Sequence, residues 1–315
     1  MSAPEVTVLL PVYNGEKYLR ESLASLLGQS YRAFELLVID DGSTDASLDI
    51  IESVHDSRLK LVKNAGNQGL VYTLNRGLAL AAGRFLMRMD ADDIALPQRI
   101  ERQLNFMRCH PTVGISGTWS RTFGAVEKPW ETRFPVGHED IVAHMLFHTA
   151  LSHPTAMMDL AQMRSHHLAY DKQAQHAEDY DLWVRASACF HLANVPEVLL
   201  SYRTHSKQVS QQYHEIQRQT ADAVRFNLLR RMGIECDQSE QALHSRLCAY
   251  DWPPGVAFYQ AAIPWLRRIA DDARTENNLL HTALKTSCRN KAIEVHRHTF
   301  RGRDGLGRLG LRWFF

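Results

Sequence analysis

About the first 120 residues alternate short apolar runs with amphipathic ones, and this alternation restricts the fold more than any other property of the chain. Val6–Leu10 reads as a buried-type strand closed by Pro11, after which Leu19, Leu23, Leu26 and Leu27 fall at helical spacing. Glu35–Ile39 is a second apolar strand, and Ser43 or Thr44 is placed to cap a helix that buries Leu48, Ile51 and Val54. Leu59–Val62 reads as a third strand, Leu70–Ala82 as a helix stopped by Gly83, and Arg84–Met89 as a fourth strand. Pro97 opens a helix with Ile100, Leu104 and Met107 on one face, and Thr112–Thr118 is a further strand. Repeated strand–helix–strand units predict an α/β fold with a mostly parallel sheet flanked by helices. From about Tyr213 the pattern becomes continuously helical, with Ile216–Met232 and Phe258–Ala273 amphipathic. A boundary near residue 210 therefore separates an α/β domain (1–210) from a helical C-terminal extension (211–315).

In a parallel sheet, ligands bind outside the carboxyl ends of the strands. Three predicted strands end there in polar residues: Pro11-Val12-Tyr13-Asn14, Asp40-Asp41 and Asp90-Ala91-Asp92-Asp93. The last places three carboxylates within four residues, which is costly unless a cation or hydrogen-bonding ligand offsets it. Oxygen-only ligands at that spacing suit Mg²⁺ or Mn²⁺ bridging protein carboxylates to a substrate diphosphate. The competing explanation is acidic charge at the start of the helix after Pro97. Tyr13 is placed to stack on a base, and Asp40 or Asp41 to accept from a base N–H or a ribose hydroxyl; the same Asp-Gly-Ser run is also ordinary turn chemistry.

Other constellations carry less. No phosphate-binding Gly-x-x-x-x-Gly-Lys-Ser/Thr run occurs, and the glycines at 305, 307 and 310 follow no strand, so they cannot open a dinucleotide-binding unit. Glu178-Asp179 would lie at the positive end of a helix anchored by Leu182, Trp183 and Ala186. A carboxylate held there can serve as a general base or can simply compensate the helix dipole. His144 and His148 lie one turn apart without a third zinc ligand, and His153 and Arg203-Thr204-His205 flank strand-like runs from which they could reach a diphosphate.

The formal net charge of +1 argues against a nucleic-acid partner. Five cysteines without a Cys-x-x-Cys pair suggest free thiols in a reducing compartment. No apolar run approaches the roughly 20 residues needed to span a bilayer, and no signal segment is visible, so a cytoplasmic protein is expected. Between Lys285 and Phe315, eight Lys or Arg stand against two acids, and the chain ends Arg-Trp-Phe-Phe. Such a tail could rest peripherally on an anionic membrane surface or pack as a solvated basic end.

Taken in order, Pro11-Val-Tyr-Asn-Gly15, Ile39-Asp-Asp-Gly-Ser-Thr-Asp45, Asn67-Gln-Gly69, Asn75-Arg-Gly77, Asp90-Ala-Asp92-Asp93 with Pro97 and Arg99, Glu178-Asp-Tyr-Asp-Leu-Trp183 and Tyr202-Arg-Thr-His205 resemble the family 2 glycosyltransferases over roughly residues 5 to 210. The Arg88-Met-Asp-Ala-Asp-Asp93 stretch with Arg99-Ile-Glu-Arg-Gln103 looks most like members that build bacterial surface polysaccharides. The resemblance implies a GT-A fold, a nucleoside-diphosphate sugar donor, a divalent metal, inversion at the anomeric carbon, and a glycan or lipid-linked acceptor. It places Pro11, Tyr13 and Asp40 or Asp41 around the donor base, Asp90 on the ribose and Asp92 on the metal. Asp179 becomes the general base, Glu178 its substrate-binding neighbour, and Arg203 and His205 lie near the departing diphosphate. A sugar nucleotidyltransferase would need a glycine-rich basic loop where this chain has Pro-Val-Tyr-Asn-Gly-Glu; a non-catalytic nucleotide- or sugar-binding module is the other alternative. The segment after Ser210 matches no pattern of the family.

Overall fold

The computed structural model describes residues 4–205 and 213–300. Of the basic tail, residues 285–300 are described, whereas residues 301–315, with Trp313, Phe314 and Phe315 and the glycines at 305, 307 and 310, lie outside the described residues. The chain divides into two compact units, one of residues 1–137 and 151–217, the other of 138–150 and 218–315.

The first unit is built on one sheet. Strands β1 (Val6–Val12), β2 (Phe34–Asp40), β3 (Leu59–Lys63) and β4 (Phe85–Arg88) are parallel, with β1 between β2 and β4 and β3 outside β2. These strands read as unbroken apolar runs because helices cover both faces of a parallel sheet; β1 and β4 are buried along their whole length. Four helices run between and after them: α1 (Leu19–Leu27), α2 (Ser47–Glu52), α3 (Leu70–Leu80) and α4 (Arg99–Cys109). Ile100, Leu104 and Met107 of α4 are buried, as their spacing predicts.

Beyond β4 the sheet becomes mixed. β8 (Met157–Asp159) runs antiparallel to β4 and to β6 (Val113–Gly124); β9 (His191–Thr204) is parallel to β6; β5 (Ile94–Ala95) is antiparallel to β9, and β7 (Glu131–Thr132) to β6. The strand order is β3-β2-β1-β4-β8-β6-β9-β5. The predicted strand at Thr112–Thr118 is thus the first half of a longer one. Pro11 lies within β1 opposite Ile39, so the strand closes at Val12 instead.

The expected cap of α2 is also different. Neither Ser43 nor Thr44 caps it; Ser47 N–H donates to Asp45 Oδ1 (2.9 Å). Both residues serve the neighbouring loop instead. Asn14 N–H donates to Ser43 Oγ (3.0 Å), and Thr44 N–H to Asn14 Oδ1 (2.8 Å). Asn14, at the end of the neighbouring strand, takes both residues in place of the local cap and ties the ends of β1 and β2 together.

Gly77 lets α3 lie close to β1: a Cβ there would come within 2.3 Å of the Leu9 side chain, which is fully buried. Gly77→Ala gains about 1 kcal/mol of helix propensity but overpacks this contact by roughly 1–3 kcal/mol. A net fall in Tm is expected in thermal unfolding; an unchanged Tm would show that Leu9 moves aside without cost.

The second unit contains α5 (His138–His144), α8 from residue 218 (the helix spans His214–Arg231), α9 (Gln238–Ala249), α10 (Val256–Asp272) and α11 (Asn278–Thr299). Its core includes His244, whose Nε2 donates to the Leu146 carbonyl (2.8 Å) while Nδ1 accepts from Trp265 Nε1 (3.1 Å). That pairing requires a neutral ring, and burial pushes its pKa down to about 4. The single boundary expected near residue 210 is therefore incomplete. Residues 138–150 belong with the C-terminal helices, because α5 buries Ile141, Val142 and Ala143 and packs on α11. Among the described residues no helix is long and apolar enough to cross a membrane.

Two further helices, α6 (Leu160–Ser165) and α7 (Glu178–Ala186), complete the first unit. α7 buries Leu182, Trp183 and Ala186, the residues expected to anchor it.

Candidate active site

The carboxyl ends of β1, β2 and β4 bring their polar residues to one edge of the sheet. Register places Val12 opposite Asp40 and Leu9 opposite Arg88. Tyr13, just past β1, is 50 % exposed, so its ring is open to a stacking partner. Pro11 is buried within β1 and reaches the edge only through the residues that follow it.

Asp40 and Asp41 are both buried, and both work within the fold. Asp40 accepts from the N–H of Gly42 (3.2 Å) and Ser43 (3.3 Å) and holds its own turn. That turn requires a glycine: Gly42 has φ of 77°, and a Cβ there would lie 2.5 Å from the Gly66 backbone. Asp41 Oδ1 accepts from Asn64 Nδ2 (2.6 Å) and Gln68 N (2.9 Å), and its Oδ2 from Gly69 N (2.9 Å). This last network explains the Asn67-Gln-Gly69 motif, which closes back onto the end of β2.

The oxygen atoms of Asp90, Asp92 and Asp93 lie within 4.8 Å of one another. The charge of the cluster is offset in part from within the protein. Both Asp90 oxygens are held by the Arg88 guanidinium, with Nη1 2.6 Å from Oδ2. Arg88 is buried, and i, i+2 spacing at a strand end puts the two side chains on the same side. Asp93 is completely buried, and burial, reinforced by Asp90 and Asp92, pushes its carboxyl well above the usual carboxylate range. Its Oδ1 accepts from the Arg203 N–H (2.8 Å), while Oδ2 has no partner. Arg99, also fully buried, donates to the Arg88 carbonyl (2.8 Å) and to Gln103 Oε1 (3.2 Å). Burial lowers its pKa to about 9, which leaves it cationic at neutral pH beside the acids.

Asp92 differs from its neighbours. Its Oδ2 meets His205 Nε2 at 2.9 Å, and its other oxygen carries no such contact among the described residues. Of the three acids it is thus the one suited to a divalent cation. One carboxylate plus substrate phosphate oxygens is a common ligand set for Mg²⁺ or Mn²⁺, and the oxygen donors present fit it. Asp90, 30 % exposed, keeps outward lone pairs able to accept a hydroxyl.

Arg203 is tied into the fold around the Asp92 loop. Its Nε donates to the Asp92 carbonyl (2.7 Å), its Nη2 to Glu21 Oε2 (2.6 Å), and its guanidinium lies 4.4 Å from the rings of Tyr18 and Phe123. The cation is spent on the loop that presents Asp92, which makes Arg203 a brace for that loop. His205 reaches Asp92, and Tyr18 lies beside it, ring centroids 5.1 Å apart.

The fourth side of the site is the start of α7. Burial pushes Asp179 up to about 7, with Glu178 adding to the effect and Arg88 opposing it. Glu178 is likewise raised by burial, while hydrogen bonds from its own N–H and that of His176 oppose the shift. Arg88 acts electrostatically on Asp90, Asp93, Glu178 and Asp179, so one buried guanidinium joins the triplet to the α7 carboxylates. Beneath it His153 Nε2 meets the Tyr170 hydroxyl (3.0 Å), an internal contact that occupies this ring nitrogen. Asn75 holds Tyr170 by two backbone bonds, 2.9 and 3.0 Å, which accounts for the Asn75-Arg-Gly77 motif. Arg88 and Tyr170 were not singled out from the sequence. The i, i+2 spacing of Arg88 to Asp90 could have found the first; nothing local marks the second.

Residues 7–168 match the model of Glycosyl transferase family 2. An uncharacterized glycosyltransferase of Haemophilus influenzae is 34 % identical over 249 residues, 74 % of this chain and 77 % of the relative. The amylovoran biosynthesis glycosyltransferase AmsE of Erwinia amylovora is 33 % identical over 214 residues, 65 % of this chain and 78 % of its own. Among solved structures, S. aureus TarS 1–349 in complex with UDP-GlcNAc is similar with a TM-score of 0.61 at 18 % identity, covering 93 % of this chain and 91 % of that one. The mannosyltransferase PcManGT of Pyrobaculum calidifontis, in complex with GDP-Man and Mn²⁺, has a TM-score of 0.57 at 17 % identity, with 94 % and 88 % covered. The chain belongs to glycosyltransferase family 2, has the GT-A fold and is a glycosyltransferase. The nucleotidyltransferase alternative falls away.

Proposed function

We propose that this glycosyltransferase moves a sugar, with inversion and with the help of Mn²⁺ or Mg²⁺, from a nucleoside-diphosphate donor to a hydroxyl of a glycan or lipid-linked acceptor in surface polysaccharide biosynthesis. The observation that carries the reading is the pairing, around Arg88, of a carboxylate triplet with one open acid, Asp92, and a second carboxylate, Asp179, tuned to about 7. The first suits a donor diphosphate and its metal. The second suits a general base at neutral pH. The relatives' names agree with the polysaccharide context, and the donors in the two similar structures with the nucleotide sugar.

In this reading Tyr13 stacks on the base, Asp40 or Asp41 accepts from its N–H, and Asp90 accepts from the ribose. Asp92 holds the cation, with His205 alongside, while Arg203 fixes the backbone that presents it. When bound, the cation neutralises charge that develops on the departing diphosphate. Asp179 takes the proton from the acceptor hydroxyl as that oxygen attacks the anomeric carbon. A single in-line displacement needs only this one base, and it inverts the anomeric centre.

A thermal-shift panel of UDP-, GDP- and dTDP-sugars, each with Mn²⁺, Mg²⁺ or EDTA, tests the donor site. At about 100 times Kd a ligand adds roughly 2.7 kcal/mol, so one nucleotide should raise Tm by several degrees, and only with metal present. A rise that survives EDTA would remove the metal from the reading; no rise with any donor would remove the donor site.

A further inference from the structure

His176 stands three residues before Asp179 with φ of 63°. A residue other than glycine in this left-handed region costs on the order of 1 kcal/mol or more and persists only where its surroundings hold it. Two contacts do so. Gln217 Nε2 donates to the His176 carbonyl (2.9 Å). Tyr213 lies flat on the imidazole, with centroids 4.3 Å apart and planes 9° from parallel. Burial lowers the pKa of His176. Tyr213 nevertheless remains 43 % exposed.

We infer that Tyr213, backed by His176, is a platform for the acceptor, receiving the apolar C–H face of a pyranoside whose hydroxyl is presented to Asp179. The inference rests on Asp179 being the base. Its acceptor must then occupy the ground around the start of α7, and three residues of chain span at most roughly 10 Å, the length of one or two sugar rings. A sugar ring offers one apolar face and a polar rim, and a fixed aromatic surface with hydrogen-bonding groups nearby is the usual complement. The ring of Tyr213 is stacked on one face, and its backbone carbonyl accepts from the Gln217 N–H one helical turn further on (2.9 Å). Little order has to be imposed on binding. The acceptor class is therefore a hexopyranoside end, rather than a bare lipid phosphate.

Saturation-transfer NMR with methyl β-glucoside and methyl α-mannoside, on the full chain with the nucleotide and metal chosen by thermal shift, tests this. Transfer to the ring C–H protons of at least one glycoside is expected. It should fall about tenfold in Tyr213→Ala, as for a lost aromatic contact, and survive in Tyr213→Phe. The donor-induced thermal shift should be the same in all three proteins. Undiminished transfer in Tyr213→Ala would reduce the residue to a brace for the loop, and no transfer in the wild type would remove the platform. Loss of the donor shift in the wild type would instead count against the proposed function.

Discussion

Asparagine at position 179 is expected to lower turnover by about 10²- to 10⁴-fold, the range of a lost general base, while donor affinity stays within a factor of two or so. The same substitution should raise stability at neutral pH. The direction follows from linkage. The folded state holds the Asp179 pKa at about 7, above its usual value of 3.8, so it favours the protonated form. The stabilisation is complete below pH 4 and disappears as pH rises through 7. At pH 8 the wild type carries an ionised, half-buried carboxylate that the amide would relieve, and Tm should rise by a few degrees. Wild-type kcat should in turn fall as pH drops through about 7, because the base is then protonated. A pH–rate profile and melting curves on both proteins suffice. Equal loss of donor affinity and turnover, or a lower Tm in Asp179→Asn, would refute the role.

Alanine at position 92 should abolish the metal's contribution to donor binding. A divalent ion at a diphosphate is worth several kcal/mol, so donor Kd in Mn²⁺ should rise about 100-fold or more, to the value the wild type shows in EDTA. Stability should barely change, since Asp92 is half-buried and its main bond is to His205. Asp90→Asn provides the contrast. It leaves the buried Arg88 cation without the carboxylate that holds it, so its first effect should be on Tm, because an unpaired buried charge is costly. Titration calorimetry with and without metal separates the two. Identical donor affinity in Asp92→Ala and wild type under Mn²⁺ would overturn the assignment.

Much of the catalytic unit could be read from residue order, and the reason is local. β1, β2 and β4 announce themselves because both sheet faces are covered, and α4 because Ile100, Leu104 and Met107 share one buried stripe. β5, β7 and β8, of two or three residues each, are too short to show any period. Site residues were legible where acids follow strands. Their division of labour was not. How Asp92 is presented depends on His205 and Arg203, which join it from 113 and 111 positions away, and on Glu21, which holds Arg203. That Asp41 braces a loop depends on Asn64 and Gly69, whose motif had no visible purpose in one dimension. The αL turn at His176 had no signal either, since histidine does not demand it.

The assignment of residues 138–150 to the C-terminal helices has a practical consequence. The helical unit is not a terminal cassette that could be cut off or exchanged at a single junction. A cut near residue 217 would remove α11 from α5 and leave Ile141, Val142, Leu146 and Phe147 without their cover. Exchanging the C-terminal helices between relatives therefore requires transplanting the 138–150 insert together with them; a chimera that carries only the tail should aggregate.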